Sequence, residues 1–79
     1  FSNHLEATDL NFISIEKLTE PMKVKAKVRY RQKETDAVIT PLENGNVSVD
    51  FETPQRAIAP GQAVVFYDGD IVVGGGTII

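Results

Sequence analysis

Met22-Lys23-Val24-Lys25-Ala26-Lys27-Val28-Arg29-Tyr30-Arg31-Gln32 alternates apolar and charged side chains with a period of two. Met22, Val24, Ala26, Val28 and Tyr30 share one face, and Lys23, Lys25, Lys27, Arg29 and Arg31 share the other. Such alternation is the signature of a half-buried β-strand, because successive side chains of a strand point to opposite faces. The rest of the chain favours the same backbone. Nine Val and seven Ile outnumber four Leu and one Met. β-branched side chains lose χ1 freedom in a helix and fit a pleated surface.

Working outward, residues 3–13 read as a first strand in which only Leu10, Asn11 and Phe12 alternate clearly. Glu16 to Pro21 is a connection. Thr35 to Leu42 is a third strand centred on Ala37, Val38 and Ile39. Glu43-Asn44-Gly45-Asn46 reads as a hairpin turn, because Asn-Gly readily takes positive φ. Val47, Val49 and Phe51 then alternate with Ser48, Asp50 and Glu52 in a fourth strand, and Thr53 to Gln62 reads as a loop. Ala63 to Tyr67 is a fifth strand, apolar on both faces and therefore expected to be central. After an Asp68-Gly69 turn, Asp70 to Val73 begins a sixth strand. Gly74-Gly75-Gly76 is expected to interrupt it, as a bulge, a corner or a close backbone approach, before Thr77 to Ile79 ends it.

Six short strands with one apolar face each leave exposed edges unless the sheet closes on itself. The expectation is an all-β domain, a small six-stranded antiparallel barrel. Val24, Ala26, Val28, Val49, Phe51, Val65 and Ile71 are expected in its core.

Length and composition narrow the function. The 79 residues hold one small domain, with little room for a core and a deep active site together. Residue 1 is Phe, so residues 1–79 are expected to be a piece of a longer protein. There is no cysteine, which removes disulfides, thiolate metal sites and a cysteine nucleophile, and fits a reducing compartment. No leader and no membrane-length apolar run is visible, so the expected location is cytoplasmic.

The net charge of −3 conceals an asymmetry. Residues 17–33 carry seven of the eight basic residues and one acid, a local charge of +6 against −9 elsewhere. Lys23, Lys25, Lys27, Arg29, Arg31 and Lys33 occupy alternate positions, which in a strand gives a row spaced at about 6.7 Å. Such a row is either a solvated outer face with lysines guarding an edge, or a contact for an RNA backbone. Three or four phosphate contacts of this kind alone give weak binding, about 10⁻⁴ M or worse at physiological salt.

Other candidate chemistry is thin. His4 is the single histidine and lacks the clustered partners of a zinc site, so it reads as a surface residue and no metal is expected. Asp68 and Asp70 flank Gly69 as turn residues do. Gly74-Gly75-Gly76 lacks the lysine and following helix of a phosphate-binding loop. Ser2, Ser14 and Ser48 have no base nearby in sequence. No catalytic or cofactor-binding residue is assigned.

Tyr30-Arg31-Gln32, Phe51, Pro54, Ala57, the run from Pro60-Gly61-Gln62 through Ala63, Val64, Val65, Phe66 and Tyr67 to Asp68-Gly69-Asp70, and Gly74-Gly75-Gly76 together resemble the C-terminal domain of the bacterial tRNA-specific 2-thiouridylases. These were formerly called tRNA (5-methylaminomethyl-2-thiouridylate)-methyltransferases, though nothing in these residues suggests a methyl-donor site. The resemblance runs from about Asp9 to Ile79. It implies a barrel like the second domain of elongation factor Tu that assists tRNA binding. It implies a parent enzyme that uses ATP to adenylate the C2 oxygen of the wobble uridine in the tRNAs for Glu, Gln and Lys. Sulfur from a donor protein then replaces that oxygen through a cysteine persulfide. The nucleotide loop and catalytic cysteines of that family have no counterpart in this chain, so the piece alone is expected to bind no cofactor and to catalyse nothing. A purely structural, interdomain-packing barrel and a translation-factor-type barrel remain the alternatives.

Overall fold

A computed structural model describes residues 2–28, 34–55 and 58–79. Six strands follow in order: β1 (Ser2–Phe12), β2 (Met22–Lys27), β3 (Thr35–Pro41), β4 (Val47–Gln55), β5 (Ala63–Asp68) and β6 (Ile71–Ile78). All pair antiparallel, in the closed order β1-β4-β3-β2-β5-β6. No helix occurs among the described residues. The expected all-β, six-stranded antiparallel barrel is the fold observed.

The alternation in β2 does what its period demands. Val24 and Ala26 are buried while Lys23 and Lys25 are exposed, and Val28, just past the strand, is buried too. Residues 29–33, which include the second half of the alternating stretch, lie outside the described residues. β3 buries Ala37 and Ile39, and β4 buries Val47, Val49 and Phe51. β4 runs on to Gln55, three residues into the expected loop. The hairpin between β3 and β4 closes as its Asn-Gly predicts. The Leu42 amide donates to the Asn46 carbonyl at 2.9 Å, and Gly45 takes φ 86°.

β1 buries Leu5 and Ala7, two residues that no alternation marks in the sequence. Between Thr8 and Asn11 the register against β6 shifts, with one extra residue on β1, and Asp9 sits there at φ 52°. The bulge flips the inward parity. Leu5 and Ala7 point in at odd positions, whereas Leu10 and Phe12 pack against the core from even ones.

Two expected core residues are displaced. In β5 the inward pair is Val64 and Phe66, both fully buried, and Val65 is half-buried on the outer wall. A closed barrel gives every strand two neighbours, so apolar residues on both faces of β5 do not make it central. Ile71 is 58% exposed at the tip of the β5–β6 hairpin, and the fully buried Val73 takes its place in the core. A register shift between Phe66 and Tyr67 brings Val73 to the inside.

The three glycines do not interrupt β6. They pair with β5 on one side and, at Gly74 and Gly75, with β1 on the other. A Cβ on Gly74 would lie 2.4 Å from the Asn11 carbonyl oxygen, so the close-approach reading of these glycines is the one that holds.

Candidate functional site

β2 holds the first half of the basic row on the outer wall. Lys23 and Lys25 are exposed and Lys27 is half-buried, all on the face opposite Val24 and Ala26. Arg29, Arg31 and Lys33, the other half, lie outside the described residues. Strand pairing sets what flanks the row. On the β3 side, Lys23 is opposite Val38 and Lys25 opposite Asp36. On the β5 side, Lys25 is opposite Tyr67 and Lys27 opposite Val65.

The two flanks differ in charge. Lys25 Nζ lies 3.6 Å from Asp36 Oδ1, both side chains being about half exposed (51% and 58%). An open pair at that distance contributes roughly 0–1 kcal/mol and leaves the lysine available to another anion. Among the described residues, Lys23 and Lys27 make no ion pair. The β5 flank is uncharged as far as Asp68. A hollow of about 190 Å³ spans this seam, lined by Lys23, Lys25, Tyr67 and Gly69 and also by the carboxylates Asp36 and Asp68. Sequence reasoning did not single out Tyr67. Its place beside Lys25 follows from pairing between residues far apart in the chain, which no local pattern carries.

The acids collect elsewhere. Asp50 and Glu52 project from β4 and Glu6 from β1, the strand diametrically opposite β2 in the ring. His4 on β1 is a surface residue as expected. Its Nδ1 meets Asp50 Oδ1 at 2.7 Å, with both side chains more than half exposed. Glu6 Oε2 accepts a 2.7 Å hydrogen bond from Asn46 Nδ2, which ties the β3–β4 turn to β1. Asp68 and Asp70 flank a turn with Gly69 at φ 61°, as their spacing indicated. No three His, Cys, Asp or Glu side chains come together as a metal site among the described residues. Among the described strand residues, the cations lie on β2 and the anions on β3, β4 and β1 and at the end of β5. An extended polyanion is the chemical class such a surface attracts.

Comparison with known proteins identifies the family. The model of the aminomethyltransferase beta-barrel domain family matches residues 2–78. The tRNA-specific 2-thiouridylase MnmA of Acetivibrio thermocellus is 72% identical over 78 residues, covering 99% of this chain and 22% of that protein. The tRNA-specific 2-thiouridylase MnmA 1 of Thermoanaerobacter sp. (strain X514) is 67% identical over 78 residues, 99% of this chain and 21% of the relative. The tRNA-specific 2-thiouridylase MnmA of Clostridium acetobutylicum is 58% identical, again over 78 residues, 99% of this chain and 22% of the relative. The chain thus spans about a fifth of the length of the curated relatives it matches, at their C-terminal end.

Proposed function

This chain belongs to the aminomethyltransferase beta-barrel domain family, and on that premise we propose that it is the accessory tRNA-binding barrel of a tRNA 2-thiolation enzyme. Lys23, Lys25 and Lys27 touch the ribose-phosphate backbone, and Arg29, Arg31 and Lys33, which follow at the same spacing in the sequence, are proposed as further contacts. The observation that carries this reading is the outward row of lysines on β2, set on the wall opposite the acidic β1. The polyanion lies over the seam between β2 and β5, beside Tyr67 and Val65, where the three lysines outnumber Asp36 and Asp68. Contacts of this kind position an RNA without reading its bases, because an A-form duplex hides its base edges in a groove side chains rarely reach.

The chemistry belongs to the rest of such an enzyme. Adenylation with ATP needs a phosphate-cradling loop and sulfur transfer needs a thiolate, and these 79 residues contain neither. The substrates proposed for the whole enzyme are the tRNAs for Glu, Gln and Lys, with sulfur delivered by a donor protein in the cytoplasm.

The test is charge reversal of Lys25 and Lys27 to Glu in the full-length enzyme. At low salt, tRNA affinity is expected to fall about tenfold for each lysine that no longer meets a phosphate, and the deficit to shrink as salt rises. ATP-dependent activation at saturating tRNA is expected to persist. Unchanged affinity at low salt overturns the reading and leaves the row a solvated face of a structural barrel.

A further inference from the structure

We infer that the outer wall over β5 and β6 seats one unpaired nucleobase of the RNA whose backbone lies on β2. The inference rests on the proposed lysine contact and extends it from phosphates to a base.

Strand register carries it. Lys27 on β2 is opposite Val65 on β5, Val65 is opposite Gly75 on β6, and Gly75 is opposite Asn11 on β1. Directly opposed residues of neighbouring strands point to the same face. All four therefore belong to the outer wall that Lys27 marks. Read across the strands, they give a half-buried cation, a half-buried isopropyl group, a position with no side chain and an exposed carboxamide. Gly75 keeps the middle of the line low. A Cβ there would lie 2.6 Å from the Val64 carbonyl oxygen, so the strand runs too close to β5 to carry a side chain. The result is an open trough of about 300 Å³, one strand away from Lys27. Small-ligand sites begin at about this volume.

The lining is mixed, as a base requires. Val65, Val72 and Ile13 offer apolar surface to a planar ring, and Asp9, Asn11 and Thr77 offer polar atoms to its edge. The Asn11 carboxamide presents a donor and an acceptor side by side, the pattern that matches N6 and N7 of adenine. No hydrogen bond within the described residues occupies it. Asp9 fixes the direction of the nucleotide. Its carboxylate repels a phosphate but accepts from the exocyclic amine of a base, so the phosphate stays on the Lys27 side and the base points to β1. Lys27 and Gly75 are two strand spacings apart, roughly 10 Å, which one nucleotide spans from phosphate to base. A duplex cannot supply such a base, because its bases are paired and stacked, whereas a loop or an end can.

Binding of two labelled RNAs to the full-length enzyme at low salt tests this. One is an oligoadenosine strand of about six nucleotides. The other is an RNA duplex of about sixteen base pairs. Asn11 is exposed, so Asn11→Ala spares the core. That variant is expected to bind oligoadenosine about fivefold or more weakly, with duplex affinity and the salt dependence unchanged, since no phosphate contact is lost. Lys27→Gln is expected to weaken both RNAs and to lower the salt slope by about one. An effect of Lys27→Gln beside wild-type oligoadenosine binding by Asn11→Ala overturns the inference and leaves the lysine contact standing. Equal losses of strand and duplex in Asn11→Ala overturn it too, because a backbone contact was then removed. No effect of Lys27→Gln on either RNA overturns the lysine contact and, with it, the inference.

Discussion

Two glycines of this chain are needed for different physical reasons, and a single methyl group separates them. At Gly74 an added Cβ meets backbone, the Asn11 carbonyl oxygen at 2.4 Å and the Phe12 Cα at 2.9 Å. Neither atom gives way unless β1 moves. Gly74→Ala is therefore expected to cost about 3 kcal/mol or more, at the upper end of overpacking effects. At Gly45 there is open space, with nothing within 4 Å, but φ is +86°. Gly45→Ala carries only the left-handed backbone cost, about 1 kcal/mol. Urea unfolding of the two variants should place the Gly74→Ala midpoint clearly below that of Gly45→Ala, and the reverse order would mean that β6 is not clamped as described. The sequence showed the three glycines but not their use. Low strand propensity made them look like a break in β6. What keeps them in the ladder is the nearness of two neighbouring strands, a property of the closed ring.

The strands were legible to the degree that their two faces differ. β2 and β4 alternate apolar with polar, so Val24, Ala26, Val49 and Phe51 could be assigned inward on period alone, whereas the consecutive Ala37, Val38 and Ile39 of β3 left its parity open. β5 is apolar on both faces, and nothing local distinguishes the parity of Val64 and Phe66 from that of Val65. Packing decides it, and the consequence is measurable. Phe66→Ala removes a fully buried ring and is expected to cost about 3–5 kcal/mol, whereas Val65→Ala, on the half-buried outer wall, should cost under about 1 kcal/mol. Comparable losses for the two would show that the parity is reversed. β1 hid its pattern for another reason, since the bulge at Asp9 switches the inward side halfway along. Aspartate tolerates φ 52° far better than a β-branched residue does. Asp9→Val is accordingly expected to destabilise the barrel by about 1–2 kcal/mol although the side chain is exposed. The basic row was readable from its spacing alone, while its uncharged flank on β5 was not.

Closure of the sheet is what turns a charge imbalance along the chain into a direction in space. β2 and β1 are each three strands apart either way round the ring, so the lysines and Glu6 look out from opposite sides of a body whose narrowest extent is 19 Å. That separation decides how a polyanion senses each group. At physiological ionic strength the screening length is about 8 Å, well short of the barrel's width. A phosphate over Lys25 then feels the lysines and hardly at all the acid behind them. At about 0.01 M salt the length grows to about 30 Å, and both sides act. Glu6→Gln in the full-length enzyme is therefore expected to leave tRNA affinity unchanged at physiological salt and to raise it modestly at very low salt. Gln keeps an acceptor for Asn46 Nδ2, so the turn that Glu6 anchors is preserved. Lys25→Glu, by contrast, is expected to weaken binding at both salt concentrations, and more at the lower. Equal responses of the two variants at physiological salt would mean that net charge alone governs association. A Lys25→Glu deficit at physiological salt beside an unchanged Glu6→Gln affinity, with the gap between the two widening as salt is withdrawn, puts the RNA on the β2 side of the barrel.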